Sequence, residues 1–185
     1  MNLKKIAGMC KRGGIFHITG PIVDESGTQD QWVMLGGAAY HIGQMGLTAY
    51  TLARLAGIKD GQTDEYLLRD ERMEETPDWM RDFPKQTPDA DTERAVITLG
   101  YDGRQILFYR LPDGGVLPVN EEYLAPIDSE REFAVRMVAG VPALAIKEGM
   151  YIAAVIAKYD AFGEKDGIKL PELRAALSRE KGIWR

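Results

Sequence analysis

The chain has 185 residues, 45% of them apolar and 28% charged, which suits a soluble globular protein with one core, or one core with an appended element. Its net charge of −5 argues against wholesale coating of nucleic acid, and its longest apolar stretch, "MYIAAVIAKY", is far too short to cross a bilayer. Cys10 stands alone, so no intrachain disulfide framework exists. With no apolar run behind the basic start of the chain to form a signal peptide, a cytoplasmic protein is expected.

"NLKKIAGMCKR" reads as a helix, with Asn2 as N-cap and Leu3, Ile6, Ala7 and Cys10 on one face; Gly13 and Gly14 stop it. "GIFHITG" alternates as a half-buried strand, with Phe16 and Ile18 opposite Ile15, His17 and Thr19. "QWVML" and "AAYHI" are two further strands around a Gly36-Gly37 turn. "GLTAYTLARLAGI" is a helix with Leu47, Tyr50, Leu52, Leu55 and Ala56 as its apolar surface, ended by Gly57.

From about residue 60 to 93 the texture changes. Twelve acidic residues face four basic ones, and Pro77, Pro84 and Pro88 punctuate the run. "TDEYLLRDERMEE" is expected to hold a short helix with Tyr66, Leu67 and Met73 inward, and the rest a loop pinned by Trp79 and Phe83. So long an irregular stretch is a functional or inserted segment.

Beyond Arg94 the pattern is β. "RAVITLG", "RQILFYRL" and "GGVLPV" are strands joined by "YDG" and "PDGG" turns. "NEEYLAPI" is a short turn or helical step. "EFAVRMVAG", "PALAIKEG" and "MYIAAVIAKY" are three more strands, and the tail "IKLPELRAALSREKGIWR" is an amphipathic helix burying Leu173, Ala176 and Leu177. The expected fold is a single α+β domain over 1–185, with a mostly antiparallel sheet, N-terminal and C-terminal helices and an acidic insertion at about 60–93.

Catalytic and metal motifs are missing from this pattern. "GGAAYHIGQMG" lacks the spacing of a phosphate loop, although Gly46 precedes a helix where an anion could rest. His17, His41 and Cys10 are too few for a standard zinc site, and Cys10 falls on a buried stripe. A nuclease centre would have to be assembled from distant acids such as Asp102, Asp113 and Glu122. Phe108, Tyr109, Arg110 and Arg136 are weighed as a stacking or phosphate surface, against ordinary sheet pairing. No cofactor and no metal are expected.

The opening "LKKIAGMCKR", "GIFHI" and "QWVMLGGAAYHIG", with the later "NEEYLAPI", "AVRM" and "PALAIKEGMYIAAVIAKYD", resembles a family of small proteins from phages and prophages of gut Firmicutes. The likeness spans about two thirds of the chain and leaves out the acidic segment. The succession of helix, strand, hairpin and helix also resembles half of a DNA sliding-clamp domain. In size, acidity and lack of catalytic signature the chain is similar to phage inhibitors of bacterial immunity, type II-A anti-CRISPR proteins among them. That resemblance implies a non-enzymatic binding protein that blocks a Cas9-type host defence nuclease. Its contact surface would be Asp70, Glu71, Glu74, Glu75, Asp78 and Asp82, with Trp79 and Phe83 as apolar anchors. The alternative is a clamp-like accessory of phage replication or recombination, touching duplex DNA through Lys4, Lys5, Lys11 and Arg12 and forming a homo-oligomer. A metal-dependent nucleic-acid-processing enzyme is the third reading.

Overall fold

The computed structural model describes residues 1–23, 29–73, 77–80, 90–127, 132–149 and 151–160, together with Ala175, Leu177 and Trp184. Helix α1 (Leu3–Gly13) leads into β1 (Ile15–Val23), β2 (Gln29–Leu35) and β3 (Ala38–Gly43), followed by α2 (Ala49–Leu55) and β4 (Leu67–Glu71). The two-residue β5 (Ala90–Asp91) precedes β6 (Arg94–Tyr101), β7 (Arg104–Arg110) and β8 (Val116–Asn120). Then come β9 (Glu132–Val138), β10 (Val141–Glu148) and β11 (Tyr151–Ala157).

Among the described residues eight strands form one sheet in the order β4-β1-β2-β3-β11-β10-β9-β5, and β6-β7-β8 form a second. Every neighbouring pair is antiparallel except β1 with β4. The α+β class and the predominantly antiparallel pairing read from the sequence are therefore those of the protein.

Local signals set the element ends. Asn2 Oδ1 accepts the Lys5 N–H at 3.1 Å, and Gly14 closes α1 in the left-handed region at φ 72°. Thr48 and Thr51 cap α2 reciprocally. The Gly36-Gly37 turn joins β2 to β3 in the register Trp32↔His41, Val33↔Tyr40, Met34↔Ala39 and Leu35↔Ala38. A Cβ on Gly37 would stand 2.8 Å from the Tyr123 ring, so the turn is glycine because an aromatic ring lies on it.

The main core lies on one face of the large sheet. There α1 (Ile6, Ala7, Cys10) and α2 (Ala49, Leu52, Ala53) pack with Leu107, Tyr109, Leu117 and Val119 of the small sheet against Phe16, Ile18, Tyr40 and Leu144. On the opposite face Trp32, Ala39, Ala143, Ala145 and Val155 form a second cluster beneath Met80. The far side of the small sheet buries Ile106, Phe108 and Val116 against Leu177.

Two expected faces differ. Tyr50 and Leu55 of α2 are each 44% exposed, because the helix is only two turns long and the small residues Ala49 and Ala53 bring it close to the sheet. The expected helix within "TDEYLLRDERMEE" is instead a 3-10 helix, Asp60–Glu65, and the strand β4. Leu67, expected inward, is 58% exposed, whereas Tyr66 packs edge-on against Phe16 with ring centroids 5.7 Å apart. In the tail, Ala175 and Leu177 are helical and Leu177 is buried, as expected; Leu173 and Ala176 lie outside the described residues.

Candidate interaction surface

The described parts of the acidic segment are built into the large sheet at both of its edges. Asp60 Oδ1 accepts from the Tyr50 hydroxyl and the Arg54 guanidinium, each at 2.6 Å, and so ties the 3-10 helix to α2. β4 then pairs with β1 at one edge of the sheet, and β5 pairs with β9 at the other. Between them the one-turn helix Asp78–Met80 lies over the second face, where Met80 is buried. The described parts of the segment thus meet the sheet at both edges and on its second face, and together they are called the strap.

Its anchor is aromatic. Trp79 meets Trp32 edge-on, with centroids 6.0 Å apart, and its carbonyl accepts from Arg136 Nη1 at 2.8 Å. Arg136 is only 4% exposed, so this charge-assisted bond forms where water competes little. Trp32 is stacked in turn on His41, with centroids 5.0 Å apart and planes 24° apart. His41 Nε2 lies 3.2 Å from Asp30 Oδ1, within ion-pair reach but off the hydrogen-bond line. Trp79, expected as a partner-facing anchor, is half-buried inward because Trp32 and the small Ala39 and Ala145 offer it an apolar seat.

The expected acidic contacts divide. Asp70 Oδ1 accepts the Ala49 N–H at 2.7 Å, satisfying a free donor at the start of α2. Glu71 bridges His17 Nε2 at 2.8 Å and Arg69 Nη2 at 3.1 Å. Asp64, Glu65, Asp70 and Asp78 are exposed. Glu74, Glu75, Asp82 and Phe83 lie outside the described residues.

The basic set on α1 is largely engaged by the fold. Lys5 Nζ donates to the Ala125 carbonyl at 2.9 Å, and Lys11 Nζ to the Ala56 carbonyl at 3.3 Å, where α2 ends. Arg12 pairs with Glu122, and Lys4 is exposed. The arginine and aromatic surface considered on β7 and β9 does not form. Phe108 and Tyr109 are both fully buried, on opposite sides of the small sheet, and Arg136 belongs to the large one. Arg110 points to solvent beside Glu93.

Cys10 is fully buried, and desolvation pushes its thiol up to about 12, which deprives it of the thiolate a nucleophile needs. Asp102 and Asp113 sit in turns at opposite ends of β7, and Glu122 is held by Arg12, so these three acids form no common centre. Among the described residues no three His, Cys, Asp or Glu side chains come together as a metal site, and no helix is long and apolar enough to cross a membrane.

Packing partners were the part that sequence reasoning missed. Nothing in "QWVMLGGAAYHIG" except the odd spacing between Trp32 and His41 across a two-residue turn hints at their stacking. Comparison of the chain with protein-family models, with curated proteins and with solved structures gives no match.

Proposed function

We propose that the protein is a non-enzymatic binding protein of phage origin, whose acidic face occupies a cationic nucleic-acid groove of a Cas9-type host defence nuclease. The observation that supports the reading most is the way the acidic segment is mounted. A strand, a 3-10 helix tied to α2 and a tryptophan-anchored turn display Asp64, Glu65 and Asp78 from fixed positions. Fixed charges bind with less ordering cost than charges on a free loop and speed encounter with an oppositely charged groove.

The test mixes the purified protein with a panel of such nucleases and follows target cleavage and complex formation on size exclusion. Inhibition with a stable complex, lost in Asp64→Lys/Glu65→Lys, supports the reading. Unimpaired cleavage across the panel with no complex contradicts it.

The DNA-binding accessory is the weaker reading, because Lys5, Lys11 and Arg12 already hold α1 to its surroundings. Salt-sensitive duplex binding by the protein alone would favour it.

A further inference from the structure

We propose that the outer edge of β4 accepts an extended basic segment of a partner protein as an added strand. This rests on the reading of an acidic binding face and specifies how that face is used. Among the described residues β4 is the terminal strand of the large sheet. The Leu67 N–H donates to the Gly14 carbonyl at 3.0 Å. Along a parallel strand the N–H and C=O of one residue point to the same side, and successive residues alternate. Leu67, Arg69 and Glu71 therefore turn their backbone groups to β1, while Leu68 and Asp70 turn theirs outward. Those two residues present the donors and acceptors that an incoming strand needs.

The side chains around this edge select the occupant. Leu67 and its register partner Ile15 are 58% and 45% exposed, an apolar pair on one face of the strand pair. From Asp60 to Glu71 five acids stand against the single base Arg69; Asp60 is paired with Arg54 and Glu71 with Arg69, while Asp64, Glu65 and Asp70 are exposed. An added strand therefore fits best with an apolar residue beside Leu67 and lysine or arginine beside the exposed Asp70. The shortness and charge of β4 exclude indiscriminate pairing, and a second copy of this chain would bring acids to the same acidic edge. The occupant is a basic strand of another protein.

The experiment titrates the full-length, ¹⁵N-labelled protein with three short peptides and follows amide resonances. One alternates valine and lysine, one alternates valine and glutamate, and one is the lysine peptide N-methylated at every backbone amide. The lysine peptide is expected to shift Leu68 and Asp70, the glutamate peptide to leave them unmoved, and N-methylation to weaken binding by about tenfold or more. Equal binding of the N-methylated peptide, shifts that avoid β4, or a β4-mediated dimer in light scattering would overturn the proposal. If the lysine peptide binds at β4 but no nuclease is inhibited, only the nuclease reading falls. Inhibition with no peptide response at β4 removes only the added strand.

Discussion

Trp79 meets Trp32 edge-on, with ring centroids 6.0 Å apart and planes 70° apart, and this pair fastens the acidic strap to the second face of the large sheet. Replacing Trp79 with alanine removes the strap's half of the pair and uncovers Trp32. Because Trp79 is half-buried, the loss should fall below the full Trp→Ala range, at about 2 kcal/mol. Urea unfolding measures it, and Trp79→Phe should recover most of the stability. A change within about 0.5 kcal/mol for Trp79→Ala would mean the strap is fastened elsewhere.

The glycine turn gives a sharper contrast. A Cβ at Gly37 would meet the Tyr123 ring at 2.8 Å, whereas one at Gly36 meets nothing within 4 Å. Gly37→Ala should cost about 1–3 kcal/mol by overpacking, and Gly36→Ala nearly nothing. The Tyr40 hydroxyl donates to the Tyr123 carbonyl at 2.7 Å, so this segment cannot simply swing aside. Thermal unfolding of the two variants decides it, and equal melting temperatures would contradict the contact.

Asp70 couples the edge strand to α2 through the Ala49 N–H at 2.7 Å. Asp70→Ala leaves that donor without its carboxylate and should cost about 1 kcal/mol, as loss of a helix cap does. Hydrogen exchange at the Ala49 amide should speed up in the same variant. Unchanged exchange there would show that the carboxylate is not what protects the amide.

Cys10 predicts an alkaline signature. Burial raises its thiol from the ordinary 9.0 to about 12, so the folded state holds the proton where the unfolded chain has lost it. The stability this contributes is complete below about pH 9 and is lost as pH climbs through the folded value near 12. Native protein should resist thiol reagents at pH 8 and react once unfolded. Rapid labelling of the native state would contradict the burial. Cys10→Ala should flatten the part of the alkaline stability loss that this thiol causes.

Features with a local cause were legible in the sequence. Asn2 and Gly14 bound α1, alternation set Phe16 and Ile18 against His17, and the Gly36-Gly37 turn placed β2 beside β3. What depends on distant partners was not. β4 is a parallel strand, so no hairpin turn announces it, and "TDEYLLRDERMEE" carries enough helix-forming residues to read otherwise. That Trp79 pins its segment was legible, but its partners Trp32 and Arg136 were not, since they lie 47 and 57 residues away in the chain. The continuous burial from Ile106 to Tyr109 hides its cause too, since it needs a sheet covered on both sides. Of the candidate site, the concentration of acid was visible, but its division into structural and displayed carboxylates was not. Asp70 and Glu71 give no sign in sequence of their ties to Ala49 and His17.

The most direct measurement of the central claim is a competition on one nuclease that forms a complex with the protein. Guide and target nucleic acid are titrated against the labelled protein while fluorescence anisotropy follows its release. The expected result is displacement in proportion to nucleic acid bound, with affinity falling as salt rises and lost in Asp64→Lys/Glu65→Lys. Simultaneous binding of protein and nucleic acid, indifferent to salt and to those substitutions, would contradict an acidic face seated in the nucleic-acid groove.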